Sequence, residues 1–505
     1  MRAGADMSVE TELKLRISPE HFKRLKRLPL LKTLATSKIS TRKFHNIYYD
    51  TPSLVLHQHA MALRLRRVGK QWLQTLKGGG GVRAGLHQRN EWESKVLRKA
   101  LDFDVLETFV DANLFQQISK GVTPIFETNF SRTVCMVLFD GAEIEISLDC
   151  GEIRAGEYSR PISELEFELK LGEPLQLFKL ALVLLDLVPL EVEHTSKAEY
   201  GYQLYTSTEP VVNKASFPDL SKFTNVAAAL QCMIGTCLLH LQSNISGFIQ
   251  KLDEEYLHQV RVSLRLLGVV LSMLETLCPE DELGKLHVQV AELYVEFGQL
   301  REWDVFVTQT LKSALPDISD PKAASLLQVS EVMRRQHHAA VENKLKSQDY
   351  QRLLLNFGAW MHGDYWRGLN SANFSLKKFA KQFLENRNRQ VNKRAKHLFL
   401  SDPGKLHKLR IACKKLRYSS EIFSSLFSQV KAKQYLSALT KLQDTLGNLN
   451  DITVAYRLLD ELEGRVPDDY TLAILDRITR DYAEKIKILR KDWKRFSDQE
   501  PFWSI

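Results

Sequence analysis

Two hydrophobic periods divide the chain. From about residue 8 to 205 the sequence alternates. Glu10-Thr-Glu-Leu-Lys14, Leu63-Arg-Leu-Arg66, Glu143-Ile-Glu-Ile-Ser-Leu-Asp149 and Glu164-Leu-Glu-Phe-Glu-Leu-Lys170 each return a polar or charged side chain at every second position. A period of two is that of a β-strand, and it sets these charges on one face and Leu, Ile and Phe on the other. Helical stretches are predicted between the strands, at about Pro19 to Leu30 with Ser18 as N-cap, Ala100 to Ile118, and Leu175 to Asp186. A linker from Thr206 to Phe223 holds Pro210 and Pro218. Beyond it the period becomes 3.6, and amphipathic helices are predicted from Asn225 to Trp493, broken at Pro279, Pro316–Pro321, Pro403 and Pro467.

The helical half repeats itself. Leu257-His-Gln-Val-Arg-Val-Ser-Leu-Arg265 matches Leu406-His-Lys-Leu-Arg-Ile-Ala-Cys-Lys414. Each is followed by an acidic segment, Leu300-Arg-Glu-Trp-Asp-Val305 and Leu449-Asn-Asp-Ile452. The repeat unit reads as a bundle of about four helices, present twice.

The charges of the strand-rich half are sorted. Glutamates cluster on some strands, while Arg64, Arg66 and Lys77 sit on others. A one-sided strand ordinarily turns its polar face to water, where both signs mix. Sorting by strand instead suits a closed sheet with its charged faces inward, a channel of carboxylates beside guanidinium groups. Such a lining calls for an anionic ligand and metal ions, because unpaired buried charge is very costly.

With 44% hydrophobic and 26% charged residues over 505 positions, the composition excludes wholesale disorder and coiled-coil rods, and the length suggests several domains. Six cysteines without a C-x-x-C pair give no zinc or dithiol centre and read as buried free thiols. The stretch Met1 to Glu10 has no apolar signal core, and Met7 could serve as the start. Val226 to Leu241 and Leu175 to Leu190 are interrupted by polar residues and fall short of a membrane span, so both read as core helices. The expectation is a cytoplasmic protein with no membrane partner.

The net charge of +9 conceals a concentration. Between Lys377 and Lys433 sixteen Lys and Arg face three acids, a local net of +13. His407, Arg410, Lys414 and Arg417 align there on one helix face, as do His258, Arg261 and Arg265 in the first repeat. Like charges so spaced repel, and an anion would relieve them. The absence of a zinc-finger, RRM or KH pattern argues against nucleic acid. A linear polyphosphate suits a basic groove without base-reading groups.

Three motifs are set aside. Lys77-Gly-Gly-Gly-Gly-Val-Arg-Ala-Gly85 lacks the Gly-Lys-Ser/Thr ending of a phosphate loop and reads as a hairpin connection. His57-Gln-His59, taken as strand, lacks a third metal ligand, and His337-His338 reads as helix surface.

Taken in order, Glu10-x-Glu12-x-Lys14, Tyr48-Tyr-Asp-Thr51, Ala62-Leu-Arg-Leu-Arg66, Lys77, Arg89-x-Glu91-x-Glu93, Arg132, Asp149, Glu164-x-Glu166-x-Glu168 and Ser196-Lys197-Ala198 resemble the CYTH, or triphosphate tunnel, family. The paired His-x-x-Arg-x-x-x-Lys/Arg helices at His258 and His407 resemble the CHAD family. The resemblance implies an α+β chain: an eight-stranded antiparallel β-barrel with flanking helices over 7–206, a linker at 207–221, and an all-α domain over 222–495. The two helical repeats of that domain would occupy about 225–345 and 375–495.

The implied activity is metal-dependent hydrolysis of inorganic triphosphate to pyrophosphate and phosphate, with inorganic polyphosphate bound by the helical domain. Arg64, Arg66, Lys77, Arg89, Arg132, Lys170 and Lys197 would hold phosphoryl oxygens, for which guanidinium forks are suited. Glu10, Glu12, Glu166 and Glu168 would bind Mg2+, or Mn2+, as hard oxygen ligands. Lys14 would assist, and one of Glu91, Glu93 and Asp149 would orient the water. His258, Arg261, Arg265, His407, Arg410, Lys414, Lys415 and Arg417 would contact polyphosphate. The first copy continues Leu-Leu-Gly after Arg265 where the family tends to keep basic residues, so binding is expected to lean on the second. Alternatives on the same fold are a thiamine- or nucleoside-triphosphatase or an adenylate cyclase, with Trp72 or Trp92 to stack a base. A non-catalytic polyphosphate-binding scaffold is the reading from another class.

Overall fold

The computed structural model describes residues 6–209, 211–251, 253–315, 320–371, 375–396, 402–465 and 468–504. The breaks expected at Pro316 and Pro467, and Pro210 of the linker, lie outside them. The chain divides into two compact units, residues 1–211 with 346–365, and residues 212–345 with 366–505.

The first unit is built on strands β1 (Asp6–Arg16), β2 (Ser40–Asp50), β3 (Met61–Val68), β4 (Gln71–Arg83), β5 (Leu86–Val96), β6 (Thr123–Phe139), β7 (Ala142–Ala155), β8 (Tyr158–Leu171) and the two-residue β9 (Glu191–Val192). Their order is β5-β4-β3-β2-β6-β7-β8-β1-β9, and β5 pairs back onto β1, so β1 to β8 close into an antiparallel barrel. Closure leaves the barrel no open edge, and β9 adds outside it at the end of β1.

The alternation is inverted, as the sorted charges suggested. Leu13, Leu15, Leu63, Leu65, Ile144, Leu165 and Phe167 point outward yet have no exposed surface, because helices and loops cover the outer wall. The 100–118 segment supplies two short helices, Phe103–Leu106 and Ala112–Ile118, capped by Asp102 and Asp111. Leu106, Leu114 and Ile118 pack there on Leu56, Leu63 and Leu76. The helix Pro174–Leu185 starts with proline at its first turn, and the Gln176 side chain accepts the Glu173 N–H at 3.2 Å. The stretch predicted from Pro19 is a 3-10 turn, Pro19–His21, followed by Phe22–Lys26 and Pro29–Leu34, and the Ser18 hydroxyl makes no capping bond.

The glycine run after Lys77 lies inside β4, where the register with β5 shifts between Gly78 and Gly81. The hairpin turn comes later, at Ala84-Gly85, both with positive φ. His57 sits on a helical turn, Val55–Gln58, rather than on a strand.

The second unit is helical. Its first repeat comprises Val226–Gln250, Glu254–Leu277, Asp281–Val305 and Pro321–Lys346; its second, Leu376–Ala395, Pro403–Phe423, Gln429–Asp460, Asp468–Thr479 and Tyr482–Ser497. Asn225, Asp253, Ser375 and Asp402 cap their helices, so both copies open on the same chemistry. Val226–Gln250 is long and apolar enough to cross a membrane by composition, and 67% of its most apolar window is buried in the fold. His337 and His338 are not simple surface: one stacks on Trp303 and the other packs on Phe248, 4.7 Å away.

Candidate active site

The inner face of the barrel encloses a cavity of about 560 Å3, walled by basic and acidic side chains in near-equal numbers. Strand register assembles it. Lys14 lies opposite Glu166 and Glu12 opposite Glu168 across β1 and β8. Glu168 in turn faces Glu145, and Glu164 faces Asp149, across β8 and β7. Arg132 lies opposite Asp149, Glu10 opposite Arg89, Lys77 opposite Glu91 and Tyr48 opposite Arg64. Residues directly opposite across paired strands share a face, and within each strand these positions lie an even number apart, so all are on the inner face.

The deepest contacts converge on Glu166. It accepts from Lys14, from Arg132 Nη2 at 2.5 Å and from Lys197 Nζ at 2.8 Å. Burial opposes its charge, but Lys14, Lys197 and Arg132 overcome that and hold its carboxyl well below the usual range. Asp149 takes a bidentate pair from Arg132, both bonds at 2.7 Å, and also meets Lys197 at 2.8 Å. Glu164 holds Lys197 at 2.5 Å, and burial nevertheless leaves its carboxyl raised. Lys197 reaches this cluster from the first turn of the helix Lys197–Thr206, whose N-cap Ser196 accepts the Glu199 N–H.

The opposite wall is cationic. Lys77 bonds Glu10 and lies 3.3 Å from Glu91, which also meets Arg64 Nη2 at 3.3 Å. Burial works against Glu91 ionisation, yet Lys77, Arg64 and Arg66 keep it lowered. Arg66 donates to Asn46 Oδ1 at 2.7 Å and lies over the Phe44 ring. Burial, then the neighbouring Arg64 and Arg132, lower its guanidinium to about 10. Burial also opposes ionisation of the Tyr48 phenol, but Arg64 draws it below its ordinary value. Among the described residues Arg42, Arg66 and Arg89 meet no carboxylate within ion-pair distance, so the wall carries cations without a direct ion-pair partner there.

Carboxylates crowd near Glu168. Burial raises its pKa, and Glu10 and Glu145 raise it further against the relief given by Lys170. Hard oxygen donors that repel one another are a donor set suited to a divalent cation. The described residues do not hold three such groups already converged at metal-binding distance.

The cavity brings together Glu10, Glu12, Lys14, Arg64, Arg66, Lys77, Arg89, Glu91, Glu93, Arg132, Glu166, Glu168, Lys170 and Lys197. Asp149 is fully buried behind them, saturated by Arg132 and Lys197, and does not line the cavity. Two further charged residues do line it, Arg42 and Glu145. Arg42 is signalled only by its register opposite Arg132, and Glu145 by its opposite Glu168. The two candidates for base stacking are elsewhere: Trp92 stacks on Phe109, and Trp72 lies edge-on to His45.

In the helical unit the basic motifs of both repeats meet. Arg261 and Arg265 rest on Tyr294, with Arg265 Nε 3.2 Å from its hydroxyl, and Arg417 bonds the Tyr418 hydroxyl at 2.8 Å. Arg410 and Lys414 feel the charges of Arg265 as well as that of Asp451. His407 bonds Asn450 at 2.8 Å, and His258 is exposed and feels the charges of Arg261 and Arg265. Lys415 is exposed and feels Arg387 and Arg394 instead, apart from this cluster.

Residues 8–202 match the family described as the CYTH domain, and residues 232–460 the family described as the CHAD domain. A stretch of 207 residues is 38% identical to the inorganic triphosphatase of Haemophilus influenzae, covering 39% of this chain and 55% of that protein. The chain therefore matches about half the length of that curated relative. Among solved structures, the CHAD domain from the plant Ricinus communis aligns with a TM-score of 0.48 and 28% identity, over 57% of this chain and 95% of that one. A Hippeastrum protein, described by its dominant triphosphatase activity, aligns with a TM-score of 0.28 and 20% identity, over 39% of this chain and 95% of that one.

Proposed function

The chain carries a CYTH domain followed by a CHAD domain, and from that premise we propose that it is a cytoplasmic inorganic triphosphatase whose helical unit binds inorganic polyphosphate. The observation that carries the hydrolase reading is that three cavity arginines, Arg42, Arg66 and Arg89, have no ion-pair partner among the described residues and share the cavity with a ladder of carboxylates. A compact polyanion accompanied by a cation satisfies both at once.

Arg42, Arg66 and Arg89, which line the cavity with Arg64 and Lys77 beside them, would take phosphoryl oxygens in bidentate contacts. Arg132 and Lys197, held by Asp149, Glu164 and Glu166, would form a fixed, charge-balanced floor whose N–H donors need no rearrangement as charge develops on the transferred group. Glu10, Glu12, Glu145 and Glu168 would hold Mg2+ or Mn2+, which would supply neutralisation of the triphosphate charge. Glu93, bound only by the Thr75 hydroxyl at 3.2 Å among the described residues, has an oxygen free to orient the attacking water. Glu91, locked between Lys77 and Arg64, keeps those two cations in place. The aromatic side chains that line the cavity among the described residues are Phe44, Tyr48 and Phe130.

Turnover of inorganic triphosphate, ATP and thiamine triphosphate should be compared with Mg2+ and with Mn2+. The highest kcat/KM is expected for inorganic triphosphate, and a preference for ATP with cyclic AMP as product would overturn the reading. The polyphosphate reading rests on the cation cluster shared by the two repeats. Titration of the full chain with polyphosphate at rising ionic strength should show tight binding that weakens with salt.

A further inference from the structure

The segment 346–365 lies in sequence between the helical repeats and inside the span matched to the CHAD family, yet it belongs to the barrel unit. Its helix Gln348–Met361 packs along Pro174–Leu185 and β9. Gly358 permits the approach: a Cβ there would lie 2.0 Å from the Phe178 ring. Arg352 Nη2 pairs with Asp186 Oδ1 at 2.5 Å. One contact is of a different kind, because the buried Gln351 accepts, through Oε1, the backbone N–H of Val192 at 2.9 Å.

Strand β9 is only two residues long and pairs with β1 along one side, Val192 opposite Leu15. The Val192 N–H therefore finds its partner in a side chain from far along the chain. From β9 the backbone runs straight to the cavity. The Glu193 N–H donates to the Lys14 carbonyl at 2.9 Å, and its carboxylate accepts the Thr195 N–H and the Tyr200 hydroxyl, both at 2.8 Å. Ser196 then caps the helix whose first residue is Lys197. A partly buried backbone donor is held by its acceptor, so removal of this one loosens β9 and the turn after it.

We infer that Gln351 is a positioning residue for the tunnel, setting Lys197 against Asp149, Glu164 and Glu166 by holding β9 in register. The inference rests on the reading that the tunnel binds triphosphate. It adds a residue from outside the matched CYTH span to the machinery of that site.

The test uses the full chain and three variants, Gln351→Leu, Gln351→Glu and Lys197→Met, together with the Gln351→Leu/Lys197→Met double variant. Amide exchange over 191–202 is read first, without ligand. Triphosphate affinity is then read calorimetrically in chelator, without turnover. Gln351→Leu should speed exchange in that segment and weaken triphosphate by about tenfold, the effect of one lost partly buried hydrogen bond. Gln351→Glu, which keeps an acceptor, should restore both. In the Lys197→Met background Gln351→Leu should cost no further affinity, since its effect runs through Lys197.

Unchanged exchange would overturn the inference, as would faster exchange with unchanged affinity or an additive loss in the double variant. If the wild-type chain itself fails to bind triphosphate, the functional reading falls and this role with it. The exchange arm would still report whether Gln351 holds β9.

Discussion

Arg265 of the first helical repeat donates to the hydroxyl of Tyr418 on the second, its guanidinium 4.9 Å from the centre of that ring. Its Nε also reaches the Tyr294 hydroxyl, so one arginine ties together the basic faces of both copies. Tyrosines, rather than carboxylates, take the hydrogen bonds of Arg261 and Arg265, which leaves the charge of these two available to an anion. Arg265→Ala should therefore weaken polyphosphate binding by about tenfold, within reach of a charge-assisted contact, even though the second copy is the more basic in sequence. Titrations of this variant beside Arg410→Ala at low ionic strength would check it. Loss confined to Arg410→Ala would show that the site belongs to the second repeat alone.

Lys414 should make that proposed binding depend on pH. Burial, then the charges of Arg265, Arg410 and Arg261, lower its ammonium to about 6. Near pH 7.5 the free protein therefore holds this lysine mostly neutral. An anion among those arginines favours the charged form, so binding takes up a proton and strengthens as pH falls from about 8 towards 6. Calorimetry in buffers of different ionisation enthalpy should detect the uptake, and Lys414→Met should flatten the pH dependence. Without ligand the sign concerns folding: an unfolded lysine binds its proton up to about pH 10. The unit should gain stability as pH rises between these two values, which thermal unfolding across that range would show.

The inward charge of the barrel was legible because period two is strict in Glu164-Leu-Glu-Phe-Glu-Leu-Lys170, and a one-residue slip would have buried every glutamate in the outer wall. Arg42 was not, since Arg42 and Lys43 are adjacent and only pairing with β6 decides which of them faces Arg132. Asp149 was recognised as a site residue, but its place behind the wall depends on Arg132 and Lys197 closing over it. The helix Gln348–Met361 carries an ordinary amphipathic pattern. Nothing local announces that its glycine fits Phe178, far back in the chain, because that match is one of shape rather than period.

Arg42 supplies a third prediction. It is exposed, lies opposite Arg132 in register, and has no carboxylate in reach among the described residues. On the proposed reading its charge would serve as a contact for substrate rather than as a support for the fold. Arg42→Ala should raise KM for triphosphate by about three- to tenfold and leave kcat within about twofold, the signature of binding shared by ground and transition states. Melting temperature should hold steady, since a like-charge neighbour is removed. Steady-state kinetics decide this, and a fall in kcat with unchanged KM would contradict it.

Two buried glutamates on neighbouring strands should fail in different ways. Glu12 pairs with Lys14 at 3.0 Å, but Lys14 also has Glu166, so Glu12→Gln leaves no cation stranded. That variant should keep its melting temperature, bind Mg2+ or Mn2+ more weakly by calorimetry, and lose phosphate release by about a hundredfold or more, as a site losing a metal ligand does. Glu166 is the carboxylate that joins Lys14, Arg132 and Lys197. Glu166→Gln should cost about 3 kcal/mol of stability as well as activity, because it leaves buried cations short of charge. The wild-type protein draws on that carboxylate over most of the pH scale. Its pKa is depressed on folding, so its contribution is present above the ordinary carboxylate range and is lost as pH falls through the lowered folded value. Acid unfolding of the variant should accordingly be shallower than that of the wild type, and an unchanged acid limb would place the stabilising charge elsewhere.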